Sequence, residues 1–119
     1  MEYMIGVIFA YLLFCVVLAE DNSTRIEQGK KIHHWLNGLI HIFFASLMAW
    51  VHWTYGVALL FLVRVVFDVS LNLFRGLPID YVPAKPLSVI DRLESKIWGN
   101  NGYTPKIVYI TIAICLLAV

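Results

Sequence analysis

Between Trp35 and Phe74 the chain runs for 40 residues with Arg64 and Asp68 as its only charges. As a single helix this run would be about 60 Å long, twice the roughly 30 Å of a bilayer core, so it has to fold back on itself. The break falls at His52-Trp53-Thr54-Tyr55-Gly56, where interfacial aromatics, a β-branched polar residue and a glycine gather. The pattern predicts a tight helical hairpin with arms at 34–51 and 56–74. Trp35 and Trp50 are about 22 Å apart along such a helix, which suits two aromatic belts.

Two further apolar runs flank the hairpin. Residues 4–19 carry no charge and end at Glu20-Asp21, which predicts a first, rather short span. Its flanks lack the basic residues of a secretion signal, so it is expected to be retained. Gly6 and Ala10, four apart, would let a neighbouring helix approach closely. The last span, 105–119, follows Pro105 and Lys106 and is apolar only from Ile107, about 20 Å of helix. Hydrophobic residues make up 61% of the chain and charged ones 14%, against roughly 45–50% and about 25% in a soluble domain. With 119 residues there is room for one domain. The expectation is therefore an all-α, four-span helical membrane bundle over 1–119, with a central tight hairpin and a short cytoplasmic interfacial helix. Cys15 and Cys115 read as small buried hydrophobes near opposite membrane faces, too far apart to bridge.

Charge sets the expected orientation. Arg25, Lys30, Lys31, Arg75, Lys85, Arg92, Lys96 and Lys106 fall on the face that holds the two longer loops, and the terminal face carries only Glu2. By the positive-inside rule the loops are cytoplasmic and both termini lie outside. In the first loop, Thr24 with Glu27 three residues on has the spacing of a capping box, predicting that the second helix starts there. Asn22-Ser23-Thr24 also matches a glycosylation acceptor, which a cytoplasmic loop would not use.

The second loop, 76–104, opens with Gly76, Pro78 and Pro83, too broken for a helix. Ser88 and Asp91 then signal a short helix ending near Gly99. Ile90, Leu93 and Ile97 share one of its faces, Arg92 and Lys96 can snorkel, and Trp98 closes it, which together describe an amphipathic interfacial helix.

Polar residues inside the hairpin are the candidate site. Arg64, Asp68, Asn72 and Arg75 are spaced by 4, 4 and 3, a stripe about 80° wide on a helix. His34, Asn37 and His41, with His52 as a possible fourth member, share a face of the other arm with Gly38, Ala45 and Ala49. Folding the hairpin at Thr54 brings His41 level with Phe67 and Asp68, Asn37 with Asn72, and His34 with Arg75. An Arg64–Asp68 salt bridge along one helix is also within reach. Three roles compete for the cluster: a structural network that fixes registry, a proton or ion pathway through His41 and Asp68, and a metal site from His33 or His34, His41 and Asp68. The metal spacing is weak, since His34 and His41 are about 10 Å apart. Asp80, Asp91 and Glu94 are read as solvated surface acids.

No phosphate loop, GxSxG or HExxH is present, and the net charge of +1 excludes a strongly basic nucleic-acid footprint. The run Phe67-Asp68, Asn72, Arg75-Gly76-Leu77-Pro78, Tyr81-Val82, Leu87 and Asp91 resembles a motif of uncharacterised small integral membrane proteins of bacteria and their phages. The resemblance covers about the middle third of the chain and implies no activity. The expected role is a non-enzymatic membrane component that oligomerises or docks a partner, with lipid around it and no cofactor. Proton, ion or metal handling is the alternative, and a holin-like lysis protein a second one.

Overall fold

The computed structural model describes residues 2–31, 34–82 and 89–119. All regular structure among them is helical: α1 Glu2–Glu27, α2 His34–Val51, α3 Trp53–Phe74, α4 Val89–Trp98 and α5 Tyr103–Ala118. Helix α3 is the hub, packed against α1, α2 and α5, while α4 leans on α5.

The central hairpin turns where the aromatic cluster predicts, at His52. That residue is extended (φ −157°, ψ 131°) and caps α3, its Nδ1 accepting the Thr54 backbone N–H at 3.3 Å. Histidine stands here for the usual Ser, Thr or Asp cap, leaving one fewer orphan donor in the first turn. The arms are then drawn together by small residues. A Cβ on Gly56 would lie 2.7 Å from the Ala49 Cβ and collide with the Ala45 carbonyl as well. Gly38, further down the same face, has nothing within 4 Å of a virtual Cβ. The arms therefore pinch at the turn and splay away from it.

Helix α1 is longer than the expected span at 4–19. It runs through Glu20-Asp21 to Glu27, 26 residues in all, or about 39 Å. Charges end a lipid-facing segment, but they do not end a backbone hydrogen-bond ladder, and Arg25 Nε pairs with Asp21 Oδ2 one turn back at 2.9 Å. Thr24 is thus inside α1 and opens no second helix: its hydroxyl donates to the Glu20 carbonyl at 3.1 Å. The stop comes at Gly29 (φ 68°), with Gly29 N–H to Ile26 O at 3.1 Å and Lys30 N–H to Arg25 O at 2.8 Å, a Schellman motif. Gly76 (φ 70°) ends α3 in the same way, Leu77 N–H reaching Asn72 O at 2.8 Å. Gly6 and Ala10 lie on the exposed side of α1 and make no close approach within the chain.

Ile8, Tyr11 and Cys15 of α1 meet Ala45 and Met48 of α2 and Leu59 and Val63 of α3 in the apolar core. Most large apolar side chains point outward instead, among them Phe9, Leu13, Leu39, Phe43, Trp50 and Ile107. Buried polar residues include Thr54, Asn72 and Lys106. Both cysteines are free, Cys15 buried and Cys115 exposed, so only the first behaves as a core hydrophobe.

Helices α1 and α3 are long and apolar enough to cross a membrane. The α4–α5 pair, bent by 106°, would make a third crossing if it is one broken span, and α2 is a shorter apolar helix.

Candidate functional site

The α3 stripe exists, and three of its residues each hold a different later segment of the chain. Arg64 reaches α4: its Nη2 lies 2.7 Å from Glu94 Oε2 and also bonds Asp91 Oδ1, while Nε donates to Glu94 at 3.2 Å. One turn on, Asp68 Oδ2 takes the Lys106 ammonium of α5 at 2.7 Å. Lys106 Nζ also donates to the Gly102 carbonyl at 2.9 Å, so this buried cation is both ion-paired and hydrogen-bonded. A further turn on, buried Asn72 donates to the carbonyls of Ile79 (3.3 Å) and Tyr81 (3.4 Å) in the loop after α3. Arg75 forms the C-cap of α3.

These partners differ from the expected ones. Arg64 and Asp68 are close enough for a local i, i+4 pair, yet each is hydrogen-bonded to a distant residue instead. For Arg64 the distant partners are two carboxylates that match its planar fork, a stronger arrangement than one exposed local pair. Asp91 and Glu94 are accordingly not solvated surface acids. Their side chains are 19% and 17% exposed and face inward.

Among the described residues, the polar side chains of α2 are not hydrogen-bonded to the α3 stripe. His41 Nδ1 is 2.7 Å from the Tyr11 hydroxyl of α1. Its ring does meet Phe67, with centroids 6.5 Å apart, which agrees with the depth matching. Asn37 and Gly38 lie beside it on a groove of about 390 Å3 that opens where the hairpin arms splay, walled by Leu60, Phe67 and Ile90. His52 belongs to the turn. His33 and the His34 side chain lie outside the described residues. Among those described, no three His, Cys, Asp or Glu side chains are arranged to hold a metal ion.

Between the stripe, α4 and the start of α5 lies a second, polar cavity of about 40 Å3, lined by Arg64, Asp68, Tyr81, Asp91, Glu94 and Lys106. That is room for a few water molecules at roughly 10–15 Å3 each. Its floor is closed by Gly102, where any Cβ would strike the Asp80 backbone. Trp98 of α4 stands edge-on to Tyr109 of α5 at 5.9 Å, and Tyr109 leans on Phe61 of α3. Sequence reasoning missed Tyr11, Lys106 and Tyr109. Lys106 carried a usable signal, a lysine at the very edge of an apolar run; the two tyrosines, spaced like their apolar neighbours, carried none.

No protein-family model matches the chain, and no curated protein or solved structure is significantly similar to it.

Proposed function

We propose that the chain is a multi-pass membrane protein crossing with α1, α2, α3 and α5, its loops cytoplasmic and both termini outside. It acts as a non-enzymatic component that presents 76–99 as a recognition surface, either to further copies of itself or to a protein partner. One observation carries this reading: Arg64, Asp68 and Asn72 are each spent on holding that segment and the start of α5 against α3. Such groups are architectural, since a buried ion pair whose hydrogen bonds are satisfied specifies how helices dock. Its described outward side chains include the apolar Ile79, Ile90, Leu93 and Ile97 and the basic Arg92 and Lys96.

The test is photo-crosslinking in intact membranes from Ile79 and Ile97, with Trp50 at the far end as the comparison. A discrete adduct, at a multiple of the chain mass or at one partner mass, from the first two positions alone is the expected result. Adducts equally strong from Trp50, or none from either loop position, would overturn the docking role.

A second reading has one observation in its favour. The polar cavity sets three carboxylates against two cations, an imbalance that a proton or small cation would correct. Asp68→Asn in proteoliposomes separates the two: unchanged ion flux in folded protein removes the ion-handling reading.

A further inference from the structure

Helix α4 has three faces. At 100° per residue, Val89, Leu93, Ile97 and Ile90 fill one arc and Glu94, Trp98, Asp91 and Ser95 the next, with Arg92 and Lys96 between Ser95 and Val89. The acidic arc is turned inward to Arg64, with Trp98 against Tyr109. The apolar and basic arcs both point away from the bundle, Ile97 being 68% exposed. This reverses the arrangement of a helix lying on a protein in water, where charge faces out and apolar residues face in.

The two outward arcs also have different neighbours. Ile90 shares its groove with Leu60, Val63 and Phe67 of α3 and with Ile42 of α2. Ser95, next to the basic arc, lines the polar cavity with Asp68 and Tyr81 on the loop side. Because α4 is bent 106° from α5 it runs across the bundle rather than along it. Its apolar arc thus adjoins the apolar surface of the hairpin through Ile90, and Ser95, at the edge of the basic arc, adjoins the polar cavity. A surface groove of about 480 Å3 follows their boundary, lined by Val89, Leu93, Arg92, Lys96 and Ser95.

We propose that this groove takes an anionic phospholipid of the cytoplasmic leaflet, its phosphate between Arg92 and Lys96 and an acyl chain along Val89 and Leu93. The inference rests on the membrane reading above and names what part of the recognition surface recognises. Charge complementarity selects this occupant, because the carboxylates of α4 are turned to Arg64 and, among the described residues, no acidic side chain lines the groove. The apolar wall selects a lipid over an acidic protein segment, since it continues through Ile90 to the exposed Ile42 and Leu60 of the hairpin.

The experiment uses the full chain in phosphatidylcholine vesicles containing phosphatidylglycerol, reading the association of spin-labelled anionic and zwitterionic lipids. The native chain should prefer the anionic label. Arg92→Gln with Lys96→Gln should cut that preference by about fivefold per charge removed, with helicity and thermal stability unchanged. Lys30→Gln with Lys31→Gln removes as much charge away from α4 and should keep most of it. Excess soluble phosphate should not displace the label. An unchanged preference in the Arg92/Lys96 variant, equal losses in both variants, or displacement by phosphate would overturn the proposal. A chain washed from the vesicles by alkaline carbonate would instead overturn the membrane reading itself.

Discussion

Arg64 concentrates the consequences of burial in one side chain. Removing it as Arg64→Ala would strand Asp91 and Glu94 without their cation, and such uncompensated carboxylates typically cost about 3–5 kcal/mol. Arg64→Lys should recover only part of this, because one ammonium cannot reproduce the fork that spans both acids. The triple change Arg64→Met, Asp91→Leu, Glu94→Met should melt near the native temperature, which distinguishes a stranded charge from lost packing. Thermal unfolding of the three variants in one detergent checks the series. Tyr11→Phe is a smaller matter: it deletes the hydroxyl bonded to His41 and should cost about 1 kcal/mol. The Arg64–Asp68–Asn72 spacing made the stripe visible in the sequence. Its partners were hidden because Asp91, Glu94 and Lys106 lie far along the chain, and no periodicity links one helix to another. The alignment of Asp91 and Glu94 on one arc beside the apolar face of α4 was the available hint, and reading them as solvated acids passed over it.

At the scale of helices, the close approaches decide what is replaceable. Gly56→Ala would push a methyl into Ala49 and the Ala45 carbonyl and should destabilise the hairpin by about 1–3 kcal/mol. Gly38→Ala meets nothing and should be neutral or stabilising by up to about 1 kcal/mol, through helix propensity alone. Comparing the two in unfolding measurements tests the pinch-and-splay geometry. The hairpin was legible because a 40-residue run with only two charges exceeds a bilayer and the turn carries its own aromatic and glycine markers. The end of α1 was misjudged because Glu20-Asp21 marks where apolar surface ends, whereas Gly29, which can take a positive φ, marks where the helix ends.

For the molecule as a whole, the proposed topology puts Gln28 and Asn100 on one side of the membrane and Glu2 on the other. Single cysteines at these sites, with Cys15 and Cys115 replaced by alanine, should react with an impermeant thiol reagent accordingly; Gln28 and Glu2 reacting from the same side would exclude it. The ion network also has a temporal side. Asp91 and Glu94 are made 27 and 30 residues after Arg64, and at about 5–20 residues per second this interval lasts seconds. During it, in the proposed topology, α3 enters the bilayer with Asp68, one turn away, as the only acid of its own helix to face Arg64. In that topology a ribosome that stops short of α4 leaves Arg64 with one local carboxylate in place of the two it holds in the finished fold, so completion of the last third of the chain sets how firmly the middle third is held.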